Sequence, residues 1–455
     1  MIQIENPNTG KAKTIKTTNL HELNQKIDQL KSNKTWELIT FEKRFEFIEL
    51  FKRELLENRS TIQRKISKET GKPLWESLTE VNASIHKIEN TLMSFKYRCN
   101  YPSKKMNNKT IETKTKPIGI IAIIGPFNFP MHIPNGQIVP ALLSGNKIIV
   151  KSSIYTTETT RFIEKLWKKV FKLIDSPIEF IYGDKTTGKA VVSHLDTDAV
   201  FFTGSSAVGM KIKETCYKLK KPCALEMGGN NALIVEDVSD ELLNHLTISS
   251  FITAGQRCTS ARRIIINKKY EYIINEWINH LKKLTIATYP SNIIPFMGPV
   301  VLPDVKHQIL TKKIPFSETI LKSNDLGKGG LISPRLNYSK QLYDHEIFGP
   351  MAFIYLSESI DESIEMVNQS KYGLSCSIYT KTKKTFEHAF NQINCGVINW
   401  NCPTTGASGI APFGGTKESG NHKPGGFNMI DHCVIPVASS QQKRTEKIEY
   451  PGLNA

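Results

Sequence analysis

IGIIAIIGPFNFP (Ile118–Pro130) is an apolar run that stops at a Gly-Pro pair. A strand covered on both faces reads this way, because neither face needs polar residues and a Gly-Pro pair ends the ladder. The same form recurs in KIIV (147–150), IEFIY (178–182) and AVFFTG (199–204). Between them lie segments of helical period such as RFIEKLWKKVFKLI (161–174). That segment is basic on one face, as a membrane-surface helix would be, but its place between two strands makes it a sheet-packing helix. Alternating buried strands and helices predict an α/β fold around a doubly wound parallel sheet.

Upstream, residues 19–100 read as helical, with apolar residues three and four apart in RFEFIELFKRELLENRSTIQRKI (44–66). Downstream, ALIVE (232–236) and RRIIIN (262–267) open a second βα series and hence a second α/β domain. NNKTIETKTK (Asn107–Lys116) reads as a hairpin arm and DHCVIPVAS (Asp431–Ser439) as a late strand, a pair suited to pairing across a subunit boundary.

With 39% hydrophobic and 23% charged residues among 455, the composition is that of a globular protein with a large core. It holds no apolar run long enough to span a membrane. The start, MIQIENPNTGKAK, has no basic segment leading into an apolar one, so a cytoplasmic protein is expected. Eight cysteines without a C-x-x-C pair argue against a zinc ribbon or dithiol motif, and no metal is expected. The net charge of +17 is spread along the chain without a basic tail. It therefore suits an anionic small substrate better than nucleic acid.

Loops after parallel strands are where ligands bind. Asn128, between prolines in the opening stretch, is either a turn residue or an amide donor to an oxyanion. Gly204 and Gly209 in FFTGSSAVG bracket a helix start suited to a pyrophosphate, although the spacing is not G-x-G-x-x-G. Glu226 in ALEMGGNN is either an exposed strand-end acid or, in a confined cleft, a general base. Cys258 in TAGQRCTSARR is a nucleophile candidate. Cys99, Cys216, Cys223, Cys376, Cys395 and Cys433 read as buried small hydrophobes, and Cys402 stands near a candidate loop.

PFNFP, FTGSSAVG, EMGG, GQRC, EIFGP and APFGGTKESG, in this order, resemble the NAD(P)-dependent aldehyde dehydrogenase superfamily from about Asn6 to Ser439. The resemblance implies a Rossmann-like cofactor domain (1–103 and 119–226), a catalytic domain (227–426) and a β oligomerisation arm (104–118 and 427–445). It implies Cys258 as nucleophile, Asn128 with the Cys258 N–H as oxyanion hole, and Glu226 as the base that activates water. Lys151, Gly204, Ser205, Gly209, Glu346 and Phe348 would hold NAD, the family's habit. KSSI replaces the usual KPSE, so Ile154 stands where a ribose-binding Glu is common, and NADP is the alternative. A homodimer or homotetramer is implied.

PNGQIVPALLSGN, EMGGNN, GQRCTSARR, PTTGASGIAPFGG and SGNHKP narrow the resemblance to the branch that oxidises N-succinylglutamate 5-semialdehyde in arginine catabolism. Asn230, where Lys is usual, is shared with that branch. Gly406, Ala407 and Ser408 would anchor a substrate carboxylate on backbone N–H groups. Cys402 stands where a Lys is usual, so that position offers no cation. The chain starts late for the family, and a trimmed loop is expected between Thr288 and Tyr343. Arg257 would attract an anionic substrate, with Arg262 and Arg263 structural. The rivals are another aldehyde dehydrogenase, for glutamate 5-semialdehyde or an aliphatic aldehyde, an inactive structural or binding protein on this fold, and a thiol hydrolase needing no cofactor.

Overall fold

The computed structural model describes the chain except Asn107, Lys328, His422, 446–449 and 453–455. Asn107, the first residue of the expected arm, and His422 of SGNHKP thus lie outside the described residues.

Five strands, Ile120–Ile124, Lys147–Lys151, Ile178–Ile181, Ala199–Gly204 and Cys223–Met227, form one wholly parallel sheet. Numbered along the chain, their spatial order is 3-2-1-4-5. The order reverses between the strands Ile120–Ile124 and Ala199–Gly204, where an open α/β sheet leaves a crevice at its carboxyl ends. The opening stretch shows why the apolar run is unbroken. Ile121 and Ile123 join a core with Phe51, Trp167 and the helix Leu74–Arg98, whereas Ile120, Ala122 and Ile124 join a second core with Leu23, Ile27 and Val191. The period of two sends alternate residues into different cores.

A seven-stranded sheet follows, in the order 317–321, 335–339, 351–357, 261–267, 231–235, 375–379, 397–400. Its first pair is antiparallel and the rest are parallel. Ala232–Val235, Ile264–Ile266, Phe251 and Trp277 share its core. Helices occupy most of 20–98, as the periodicity predicts, while an unforeseen hairpin pairs Ile2–Glu5 with Ala12–Ile15.

Lys109–Pro117 pairs with Val434–Gln441 of the same chain over eight residues, with Lys104–Met106 on its other edge. The late strand begins at Val434, not Asp431. Before it, Phe427–Cys433 is a 3-10 turn whose Met429, Ile430 and Cys433 pack into the first sheet's core. Burial of these apolar groups overrides the β propensity there. Among the described residues no helix is long and apolar enough to cross a membrane, and no His/Cys/Asp/Glu cluster could hold a metal.

The chain's late segment locks the strand that carries Glu226. Asn421 Nδ2 donates to Cys223 O at 2.9 Å, and its Oδ1 accepts from Leu225 N at 2.7 Å. Gly420 pairs with Glu226 at a φ of 158°, where a Cβ would come within 2.7 Å of Leu225 O. Asn421→Ala leaves both backbone groups of the strand without these partners and should cost about 1–3 kcal/mol. Urea unfolding of the variant against the parent checks this.

Candidate active site

The two sheets meet at a cleft whose walls are loops following strands of the first and preceding strands of the second. A cavity of about 1060 Å³ there is lined by Pro126–Asn128, Lys151, Gly204, Ser205, Glu226, Cys258, Glu346 and Phe348 among others. A second cavity of about 310 Å³ shares Glu226 and Cys258 with it. The thiol and the carboxylate therefore stand where the two spaces meet.

The loop before Cys258 is strained. Thr253, Ala254 and Gly255 follow one another at φ 57°, 52° and 66°, a conformation that costs non-glycine residues roughly 1–2 kcal/mol each. Gly255 is required, since a Cβ would stand 2.3 Å from Gly349 O. Polar side chains hold the loop in place. Arg257 Nε donates to Thr253 Oγ1 at 2.7 Å, Gln256 Oε1 accepts from Val301 N at 2.8 Å, and Arg262 Nη1 donates to Gly255 O at 3.0 Å. Asn231 Nδ2 donates to the carbonyls of Cys258, at 2.7 Å, and Ser260, at 2.9 Å, while its Oδ1 accepts from Ser375 N. Asn231 lies in EMGGNN and Gln256 in GQRC, yet neither motif shows the bracing role, because an amide that braces a loop has no periodicity.

Asn128 is buried, and its Nδ2 donates to Gln256 O at 2.7 Å, two residues before Cys258. An amide nitrogen carries two hydrogens, so one remains for an oxygen in the cavity. Glu226 is 5% exposed, and neither carboxylate oxygen has a hydrogen-bond partner among the described residues. Burial pushes its carboxyl well above the usual carboxylate range. Burial likewise pushes the Cys258 thiol up, helped by Glu226 and Glu346 and opposed by Arg262. Although the thiol faces the cavities and keeps intermediate exposure, protein packs around it. The sequence-adjacent arginines are chiefly engaged elsewhere: Arg257 pairs with Glu76 at 3.0 Å, and Arg262 with Glu346 at 3.3 Å, so the pull of Arg262 on the thiol is outweighed by burial.

Of the other expected residues, Lys151 is 9% exposed, and its amine is lowered to about 8 by burial. No carboxylate lies within 4.0 Å of it among the described residues. Ser205 caps the helix Ser206–Lys218 without a side-chain bond, and with Val208 N–H donating to Ser205 O, the N–H groups of Ser206 and Ala207 are left for an anion. Gly209 does not line the cavity. A Cβ there would lie 2.2 Å from Met227 Sδ, so this glycine lets the helix close on the sheet. Ile154 stays off the wall, and Ser153 lines it instead. Ala407 and Ser408 line the smaller cavity with Gly409, whereas Gly406 does not.

Arg263 is structural, donating to the carbonyls of Asn230 and Met366. Asn230 ties the loop to Tyr343 O and Asp344. All eight cysteines are free. Cys99, Cys223 and Cys395 are half-buried rather than fully covered, and Cys402 is exposed. Lys87 and His132 of the smaller cavity carry no signal in the sequence, and Gln137 lies in PNGQIVPALLSGN with no role read for it there. Lys87 sits 171 positions before Cys258 on an ordinary amphipathic helix, where nothing local marks it.

The chain matches the Aldehyde dehydrogenase family over residues 1–436. It is 37% identical over 422 residues to N-succinylglutamate 5-semialdehyde dehydrogenase of Legionella pneumophila (strain Corby), covering 90% of this chain and 85% of that protein. To the protein of the same name from Acinetobacter baylyi it is 35% identical over 422 residues, covering 90% and 86%. The crystal structure of an aldehyde dehydrogenase from Bacillus cereus in complex with NAD+ superposes with a TM-score of 0.89 at 22% identity, covering 98% of this chain and 93% of that one. The protein belongs to the aldehyde dehydrogenase family.

A raised thiol predicts slow alkylation near neutrality. Iodoacetamide labelling of the Cys258 peptide, followed by mass spectrometry on cofactor-free protein, should accelerate roughly tenfold per pH unit from pH 7 to 9. A rate already level at pH 7 would contradict the burial effect.

Proposed function

We propose that this protein oxidises N-succinyl-L-glutamate 5-semialdehyde to N-succinyl-L-glutamate in arginine catabolism, with NAD as cofactor, through a covalent intermediate on Cys258. The observation that carries the chemistry is the meeting of Cys258, Asn128 and an unpartnered Glu226 at the junction of two cavities. The specific aldehyde is supported by the names of relatives 35–37% identical over nine-tenths of the chain.

The larger cavity fits a dinucleotide. It offers the buried, unpaired Lys151 and the open helix start at Ser205, with Gly204 beside it, at the sheet's reversal point. Glu346 and Phe348 supply the wall nearest Cys258, the phenyl ring lying edge-on to Phe127 at 5.8 Å. NAD, when bound, supplies the acceptor for the hydride that leaves the substrate carbon.

Cys258 Sγ, once deprotonated, attacks the aldehyde carbon. Asn128 Nδ2 and the Cys258 N–H then face the oxygen on which negative charge develops, and such a donor contributes most where water is excluded. After oxidation the substrate is held as a thioester, which Glu226 resolves by taking a proton from water as the water attacks the carbonyl. A carboxylate with no hydrogen-bond partner and a raised pKa is a stronger base than a solvated one. Sulfur is then the leaving group, and the thiolate returns. Covalent catalysis by thiolate thus divides the oxidation into two easier steps.

The arm, Lys104–Met106, Lys109–Pro117 and Val434–Gln441, leaves Met106, Ile111 and Ile435 between 41% and 50% exposed, and among the described residues both outer strand edges are unpaired. Its proposed role is to pair subunits into a homodimer or homotetramer in the cytoplasm.

Cys258→Ala should lower NADH formation by at least roughly 10⁴-fold while leaving NAD affinity intact, and Asn128→Ala should cost roughly 10²- to 10³-fold in kcat. Because Glu226 must be ionised and its pKa is raised, activity should climb with pH through the neutral range. A comparison of kcat/KM on succinylglutamate semialdehyde, glutamate 5-semialdehyde and propanal tests the substrate. The assignment fails if the succinylated aldehyde is not preferred.

A further inference from the structure

The smaller cavity contains a charge that its surroundings leave unbalanced. The helix Leu74–Arg98 delivers Thr79, Glu80, Ala83 and Lys87 to its wall, a spacing of one, four and eight residues that makes a single stripe. Three cations gather here, Lys72, Lys87 and Arg257, beside the carboxylates of Glu76 and Glu80, with Glu226 at the Cys258 end of the cavity. Glu76 and Glu80 each already hold a cation. Glu80 Oε2 accepts from Lys72 Nζ at 2.8 Å, and its Oε1 accepts from the backbone N–H groups of Met131 and His132. Glu76 Oε1 accepts from Arg257 Nη2 at 3.0 Å and from the Thr253 hydroxyl.

Lys87 is left over. It is 9% exposed, and among the described residues its ammonium makes no hydrogen bond and has no carboxylate within 4.0 Å. His132, the imidazole in the same wall, is held neutral by burial and by three nearby cations, so it supplies no counter-charge. The room around Lys87 depends on Gly136, where a methyl group would stand 3.0 Å from Lys87 Cε and 3.7 Å from Nζ. A buried charge without a partner is costly, and removing it from water is offset only when an anion arrives. The loop Ala407–Gly409 lines the same cavity, and a Cβ at Gly409 would lie 2.6 Å from Asn90 Nδ2, one turn beyond Lys87 on the helix.

We propose that Lys87 is the specificity-determining cation of the substrate cavity, pairing its ammonium with a carboxylate of the aldehyde that Cys258 attacks. The neighbouring backbone amides of Ala407–Gly409 receive a second carboxylate, so the cavity selects semialdehydes that carry two. Lys87 thereby provides the positive charge that Cys402 does not, the latter being exposed and off the cavity wall. The inference rests on the proposed dehydrogenase activity but not on the succinyl group itself.

The test is steady-state kinetics of the full-length parent, Lys87→Met, Lys87→Gln and Lys87→Arg on succinylglutamate semialdehyde, glutamate 5-semialdehyde and hexanal, with saturating NAD. In the Met and Gln variants kcat/KM on the carboxylated aldehydes should fall roughly tenfold to hundredfold, as for a missing charged hydrogen bond, with the effect in KM. Hexanal turnover should be unchanged, and Lys87→Arg should recover most of the loss. Two results overturn the proposal: an equal loss on hexanal, which makes Lys87 a packing residue, or no loss on any carboxylated aldehyde. Should Met and Gln both fail to fold, the Arg variant and binding of N-succinylglutamate to the parent still decide. The product must bind more weakly as pH rises past about 8, where the buried Lys87 loses its proton. Glu76, Glu80, Glu226, Cys258, Lys72, Arg257 and His132 are the other titratable groups there. Lys87→Arg, which keeps its charge, should lose the decline, and binding by the parent that is independent of pH over that range counts against Lys87. Preference of the parent for glutamate 5-semialdehyde would overturn the substrate assignment and the selection for two carboxylates, while the dependence on the Lys87 charge is read on either aldehyde.

Discussion

Glu226 sits at the end of a buried strand with both carboxylate oxygens free of partners, and that desolvation organises the whole cleft. A carboxylate in such a place is uncomfortable by several kcal/mol unless it takes a proton. The fold tolerates it because the first sheet's carboxyl edge and the second sheet's loops close around it from two sides. The late segment Ser419–Asn421 pins the strand that carries it. The same closure raises the Cys258 thiol, so nucleophile and base both hold their protons more tightly than in water and both become reactive by losing one.

Strain and bracing divide the work of positioning. Three consecutive left-handed residues turn the chain into Cys258, and Asn231, Gln256 and Arg262 hold that turn through backbone carbonyls and N–H groups. Asn128 joins the two halves by bonding to Gln256 O, so the candidate oxyanion donor is fixed to the loop that carries the nucleophile. The arginines beside Cys258 in sequence are engaged by Glu76, Glu346 and backbone carbonyls. Their charge mainly holds the architecture, and the help Arg262 gives the thiolate is outweighed by burial.

The parallel sheets are legible in the sequence because burial on both faces writes itself as unbroken runs such as Ile120–Ile124. The order of motifs in the chain likewise points to Cys258, Glu226 and Asn128 together. What escapes is long-range. Lys87 and Asn231 belong to segments whose local patterns are ordinary, and their roles arise from which elements the fold places opposite them. Gly209 reads as a phosphate contact because glycines start such helices, whereas here the missing side chain admits Met227. The 3-10 turn Phe427–Cys433 overlaps a stretch that reads as strand because its apolar residues suit either, until packing on the core decides.

The central claim is that Cys258 carries the acyl group and Glu226 releases it. The direct measurement is rapid mixing of Glu226→Gln with NAD and succinylglutamate semialdehyde, followed by mass spectrometry of the Cys258 peptide. The account predicts a burst of one NADH per active site and an acyl adduct on Cys258 that persists. Steady turnover without a burst, or an adduct on any other residue, would contradict it.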